Sequence, residues 1–259
     1  MKLFIYHIDA FADKAFEGNP AAVVPLTQWL PDETLQAIAE QNNLAETAFY
    51  IPSGSGFHIR WFTPTKEVKL CGHATLASAY VLFNIIGHSA DVIEFQSLSG
   101  PLRVSQNESL LTLDFPSQPP QICNIPDAVI KGLGRTPVAC LRNEDLIAVF
   151  ERKEDVAEIA PDHHYIKQLD IRALIATAPS SDFDFVARVF APRYGIPEDP
   201  VTGSAYTQLM PYWSERIGRT VLTAKQLSPR GGKLSCEIRG DRIHISGAAR
   251  KYLEGTIEI

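Results

Sequence analysis

Leu70-Cys71-Gly72-His73-Ala74-Thr75 and Glu198-Asp199-Pro200-Val201-Thr202-Gly203-Ser204-Ala205 are the two stretches from which the fold is read. In each, a glycine and small residues stand immediately before a segment with helical spacing, residues 75–86 in the first and 204–217 in the second. Cys71-Gly72-His73-Ala74 and Thr202-Gly203-Ser204-Ala205 lie about half a chain apart, the separation that a duplicated domain gives. A glycine beside a capping residue also opens many unrelated helices, so the pair alone leaves duplication and coincidence both open.

Working outward, short runs rich in aromatic and β-branched residues read as strands at 3–8, 21–25, 47–51, 57–62, 92–96 and 110–115, and again at 147–150, 173–178, 185–190 and 242–246. Two further segments, 32–42 and 126–133, have helical spacing. Strands dominate and helices are few, so the class is α+β. Phe115-Pro116-Ser117-Gln118-Pro119-Pro120 sets three prolines among polar residues, which disfavours helix and central strand alike and marks a linker near the midpoint. The expected domains are 1–115 and 116–259, with the last strand able to return to the first.

At 259 residues the chain has room for one large domain or two of about 120–130 residues. Its 45% hydrophobic and 21% charged content is that of a globular protein. A formal net charge of -6 leaves no basic stripe for nucleic acid or an anionic membrane. No apolar run approaches the ~18–20 residues of a membrane span, and residues 1–10 lack the basic and apolar regions of a signal peptide; the expected location is the cytoplasm. Cys71, Cys123, Cys140 and Cys236 lie far apart, form no CxxC pair, and read as free thiols with no metal site.

Three side chains are candidates for chemistry. Glu46, in Leu44-Ala45-Glu46-Thr47-Ala48-Phe49, follows apolar residues and opens a strand-like run. Partial desolvation there would raise its pKa toward the range useful for general acid–base work, whereas a solvent-facing strand-edge charge is the commoner fate of a glutamate. His73, with an unperturbed pKa near neutrality, could orient a substrate or shuttle a proton, or could simply sit at a helix cap. Asp199 could hold an amine or hydroxyl of a substrate, or close its turn through its side chain. A helix N-terminus offers unpaired backbone N–H groups and the positive end of the dipole, so two of them facing one cleft would cradle a carboxylate. Gly72, Gly203 and Ser204 are small enough to let a ligand reach that backbone; taken singly, the glycines also read as turn residues and Ser204 as an N-cap.

Asp9-Ala10-Phe11 with Gly18-Asn19-Pro20-Ala21-Ala22-Val23-Val24, then Ala45-Glu46-Thr47, Arg60-Trp61-Phe62-Thr63-Pro64 with Glu67, the two opening stretches, and Ser228-Pro229-Arg230-Gly231-Gly232 make six motifs in order over nearly the whole chain. Together they resemble the PhzF-like (phenazine-biosynthesis) isomerase family, of the diaminopimelate-epimerase-like fold. The resemblance implies two similar halves, each a mostly antiparallel curled β-sheet around a central α-helix, with the active site in the interdomain cleft. It places the acid/base of a proton shift on Glu46, as in the phenazine enzymes that act on a dihydro-hydroxyanthranilate. It places substrate-binding or proton-relay roles on His73 and Asp199, and substrate contacts on Gly72, Gly203 and Ser204. It further implies a biosynthetic, cofactor-independent enzyme without metal, nucleotide or pyridoxal phosphate, and a homodimer.

Related racemases and epimerases of this fold use two cysteines, one at the start of each central helix. Cys71 stands where the first would be and Thr202 where the second would be, so a two-thiol mechanism is not expected. Cys71, as a thiol at a helix start, stays a candidate for assistance. The expected function is thus a cofactor-independent isomerase that shifts a proton on a small carboxylate-bearing substrate, with Glu46 as general acid/base. One alternative is a cofactor-free amino-acid racemase or epimerase using Glu46 or Cys71; another is a catalytically silent binding protein on the same scaffold.

Overall fold

The computed structural model describes all residues, 1–259. The architecture is α+β, as expected, with many strands and few helices. The chain divides into two compact units, Met1–Asp114 with Ser246–Ile259, and Phe115–Ile245.

In the first unit the helix Gly72–Tyr80 continues into a π-helical turn, Val81–Ile86. Neither segment carries a charged residue, and residues 72–79 are all buried. A helix without a polar face has to be covered on every side. Ala74, Ala77, Ser78 and Ala79 are small enough to let the strands Lys2–Ala10, Asn19–Pro25, Glu46–Ser53 and Gly100–Asn107 pack against it. Its two hydroxyls tolerate burial because they bond back along the helix, Thr75 Oγ1 to Cys71 O at 2.5 Å and Ser78 Oγ to Ala74 O at 2.8 Å. The helix starts at Gly72, ahead of the 75 that apolar spacing predicts, because Gly72-His73-Ala74 contributes no apolar period although it lies inside the first turn.

Around this helix, Lys2–Ala10 pairs antiparallel with Asn19–Pro25 and with the last strand, from Lys2 opposite Glu258 to Ala10 opposite Ala249. Asn19–Pro25 runs parallel to Glu46–Ser53, and the helix Asp32–Asn42 makes the crossover that a parallel pair requires. Its inward residues Leu35 and Ile38 pack with Ile5, Val24, Phe49 and Phe62. Gly56–Phe62, Val92–Ser97, Gly100–Asn107 and Leu110–Pro116 extend the sheet.

In the second unit a 3-10 turn, Gly203–Ala205, leads into the helix Tyr206–Ile217, whose Tyr206, Leu209, Met210 and Trp213 are buried. Pro211 has no N–H to offer Thr207 O four residues back; the Gln118 N–H takes that acceptor at 3.0 Å, so the break costs no orphaned carbonyl. The strands Leu146–Val149 and Leu174–Pro179 run parallel, Phe185–Ala191 is antiparallel to the latter, and Val221–Gln226 forms a hairpin with Gly232–Arg239. The expected helix at 126–133 is present as Asp127–Leu133. Two short helices, Lys153–Ala157 and His163–Ile166, had no counterpart in the sequence reading, being too short to show a period. No helix is long and apolar enough to cross a membrane.

Gly18 bends the chain into the strand that carries Asn19. Its φ is +73° and an added Cβ would lie 2.2 Å from Ala10 O, whereas Gly54, at φ +59°, has nothing within 4 Å of that position. Gly54→Ala therefore meets backbone strain alone, about 1 kcal/mol, while Gly18→Ala adds a collision with backbone and is expected to cost about 3 kcal/mol. Urea midpoints of the two variants check this; equal losses would contradict it.

Candidate active site

Glu46 opens the strand Glu46–Ser53, where parallel pairing sets it opposite Ala21. It is only 9% exposed, so it is not a solvent-facing edge charge. His73, in the first turn of the buried helix, is 6% exposed, and its Nε2 lies 3.3 Å from Glu46 Oε2. On the other side of the ring, Asn19 Nδ2 is 3.2 Å and Cys71 Sγ 3.6 Å from Nδ1. An amide NH2 only donates, so with Asn19 Nδ2 facing it Nδ1 is the bare nitrogen and the ring proton sits on Nε2, the side of Glu46. Nε2 makes no hydrogen bond of good geometry, which leaves its proton available to Glu46 or to a substrate atom beside it.

Burial pushes the His73 pKa down to about 3 from an ordinary 6.5. The imidazole is therefore neutral near pH 7 and acts as a donor; it is too weak a base to hold a proton there. Glu46, Cys71 and His73 offer oxygen, sulfur and nitrogen donors that lie within 4.8 Å of one another, a combination able to take a divalent ion.

In the second unit, Asp199 ends the strand Ile196–Asp199 and is 9% exposed. Thr202 Oγ1 donates to its Oδ2. Gln226, fully buried, holds the turn between them: its Nε2 donates to Asp199 O at 2.7 Å and its Oε1 accepts from the Thr202 N–H at 2.9 Å. Thr202 is the N-cap of the helical run that begins at Gly203, just as Cys71 is the N-cap of the helix that begins at Gly72. The two residues thus hold matching positions, and only one is a thiol.

Ser204 lies inside the 3-10 turn and is not its N-cap; its Oγ accepts from Arg172 Nη1 at 2.9 Å. Arg172 is itself held by Asp145, Nε to Oδ1 at 2.8 Å and Nη2 to Oδ2 at 2.5 Å, and Gln208 Nε2 donates to Asp145 Oδ2 at 2.7 Å. At the helix starts, the first helical bonds run from Thr75 N–H to Cys71 O and from Ala205 N–H to Thr202 O. The N–H groups of Gly72 and His73, and of Gly203 and Ser204, precede those ladders and point out of the helix end, where an anion binds best.

The structure thus gathers Glu46, Cys71 and His73 with Gly72 in the first unit, and Asp199, Thr202, Gly203 and Ser204 in the second. Sequence reasoning missed Asn19, Asp145, Arg172, Gln208 and Gln226. Asn19 stood inside a quoted motif, Gly18-Asn19-Pro20, without a role. Asp145, after Asn143 and Glu144, reads as part of a solvated turn, and nothing in the sequence ties it to Arg172.

The phenazine biosynthesis-like protein family (PhzC-PhzF) matches residues 8–255. An uncharacterized isomerase of Pseudomonas aeruginosa is 47% identical over 259 residues, covering 100% of both chains. The crystal structure of a phenazine biosynthesis protein of the PhzF family from Enterococcus faecalis matches with a TM-score of 0.98 and 44% identity, again over 100% of both. A hydroxyproline epimerase from Agrobacterium vitis shares the fold alone, with a TM-score of 0.63 and 9% identity over 99% of this chain and 92% of that one. A match over this length, with relatives this similar end to end, means that the chain belongs to the phenazine biosynthesis-like (PhzC-PhzF) family.

Proposed function

We propose that the protein, an isomerase of this family, shifts a proton between two positions of a small carboxylate-bearing substrate, with Glu46 as the group that takes and returns it. The observation that carries this reading is the Glu46–His73 pair, 3.3 Å apart and buried at the start of a helix. A neutral imidazole with its proton on Nε2 supports a carboxylate by donation and does not compete with it for the migrating proton. His73 then orients Glu46 or a substrate oxygen, and the acid/base work falls to Glu46.

Asp199, held by Thr202 and Gln226, binds an amine or hydroxyl of the substrate. At each helix start taken by itself, Gly72 in the first unit and Gly203 with Ser204 in the second, the backbone N–H groups are suited to receive a carboxylate or the enolate-like charge that develops as a proton leaves. Proton transfer by one positioned group contributes ~10²–10⁴-fold, and that contribution is assigned to Glu46. Cys71 has Thr202 as its counterpart, which supports a carboxylate-run shift over exchange between two thiols.

Incubated with a metabolite mixture in deuterated water, the wild type is expected to place deuterium in a carboxylate metabolite. Glu46→Gln is expected to lower that turnover about 10²–10⁴-fold. Turnover at the wild-type level in this variant would overturn the assignment.

His73 is expected to stay neutral from about pH 5 to 8, with Nδ1 as the bare nitrogen in ¹⁵N NMR spectra. Its folded pKa, about 3, lies below the 6.5 of an unfolded chain, so the unfolded state binds the proton first. The stability that the neutral ring contributes is full above about pH 6.5 and is lost as pH falls toward 3. His73→Asn is accordingly expected to lose less stability than the wild type over that interval, measured by urea midpoints. A His73 resonance titrating near pH 6.5 would contradict the account.

A further inference from the structure

We propose that Cys123 and Cys140 form a dithiol site, separate from the candidate active site, which a small disulfide such as oxidised glutathione converts into a cross-strand disulfide bond. Both are free thiols in the structure. Far apart in sequence, they meet through two short strands, Gln121–Cys123 and Ala139–Arg142. The antiparallel register sets Cys140 against Cys123, Leu141 against Ile122 and Arg142 against Gln121.

Register carries the geometry. Directly opposite residues of an antiparallel pair have Cα atoms about 4.5 or 5.5 Å apart, according to whether the pair is hydrogen-bonded, and both values fall within the ~4.4–6.8 Å that a disulfide spans. Their side chains leave the sheet on one face. Here that face is the inner one: Cys140 belongs to a core cluster with Val129, Leu133 and Phe150, and Cys123 packs against the same cluster, while Ile122 beside it is 85% exposed. Cβ atoms at such positions stand about 4.5–5.5 Å apart and a disulfide brings them to about 3.5–4.5 Å, so bond formation draws the strands together by about 1 Å. Gln121 and Ile122 are both exposed, so little packing of that strand resists the movement.

The two thiols differ in reactivity. Cys140 is buried, and burial first, then the charge and hydrogen bond of the neighbouring Cys123, push its thiol up to about 12. It stays protonated near pH 7 and does not attack first. Cys123 is half-buried and the more accessible of the two. Its thiolate attacks one sulfur of oxidised glutathione, which breaks the S–S bond and releases one glutathione thiolate. Cys140 then gives its proton to that thiolate, and its sulfur attacks the Cys123 sulfur and expels the second glutathione. The protein dithiol loses two electrons and two protons; the glutathione disulfide gains them and leaves as two thiols.

The new bond closes residues 123–140, which hold the helix Asp127–Leu133, into a loop. A cross-link of this kind removes freedom from the opened chain, so the oxidised form resists opening of that segment. Cys236, fully buried and opposite Leu222, is placed to stay unmodified as long as the fold is intact.

The test incubates the full chain with about 5 mM oxidised glutathione near pH 8, alkylates it and digests it with trypsin in the absence of reductant. Cleavage after Arg103, Lys131, Arg135 and Arg142 puts Cys123 in peptide 104–131 and Cys140 in peptide 136–142, with no other cysteine in either. Mass spectrometry is expected to find the two peptides joined, two hydrogens lighter than their sum, and separated again by dithiothreitol. Cys140→Ala is expected to stop at one glutathione on Cys123. Cys123→Ser is expected to leave Cys140 reacting at least about tenfold more slowly than Cys123 does in the wild type.

Separate peptides from the wild type, whether alkylated or carrying glutathione, overturn the proposal, and that digest depends on no variant folding. A link that forms only together with modification of Cys236 marks reaction of the unfolded chain and overturns it equally. Cys140 reacting in Cys123→Ser as fast as Cys123 does in the wild type overturns the order of attack.

Discussion

Burial of residues 72–79 of the helix Gly72–Tyr80 is the constraint on which the first unit depends. A helix covered on all sides offers only its ends to a ligand, and at its N-terminal end the chain places Cys71, Gly72 and His73 beside Glu46. Burial also decides the charge state of the histidine. An ammonium-like imidazolium in that position would be an ion taken out of water, which costs several kcal/mol unless fully paired, so the ring stays neutral and its proton goes to one nitrogen. Asn19 chooses which nitrogen. Packing, protonation state and the division of labour between His73 and Glu46 are in this sense one fact seen at three levels.

The second unit reaches a comparable helix start by a different route. Three of the polar side chains its helix buries are paired: Gln208 with Asp145, Thr207 Oγ1 with Gln118 Oε1 at 2.8 Å, and Trp213 Nε1 with Thr177 Oγ1 at 3.0 Å. Satisfied networks of this kind are rigid because every alternative arrangement leaves a buried group unmet. The rigidity is passed to residues 199–204 by Gln226 from one side and Arg172 from the other. One helix start is thus defined by apolar enclosure and the other by a hydrogen-bonded frame.

Much of this was legible in the sequence where a period or a motif carried it. The helix at 32–42 and the strands around Glu46 follow from apolar spacing, and the paired glycine stretches located both helix starts. Spacing failed where the signal is not periodic. The first three residues of the buried helix, Gly72-His73-Ala74, look like a turn because glycine and histidine interrupt the apolar pattern, and Ser204 looks like a cap because serine usually is one. The frame of Asp145, Arg172, Gln208 and Gln226 was invisible, since its members are separated in sequence and joined only by the fold. The neutrality of His73 depends on how deep it is buried, which no local pattern reports.

The central claim is that a single carboxyl group takes the proton from one position and delivers it to another. The most direct measurement uses a substrate carrying deuterium at the position that loses its proton, turned over once in ordinary water, with the product examined by mass spectrometry and NMR. A carboxyl that carries the proton across a buried site returns part of the label to the new position, so a measurable fraction of product retains deuterium there. Complete loss of label, with a solvent proton added to the opposite face of the same carbon, would show two bases at work and would contradict the account.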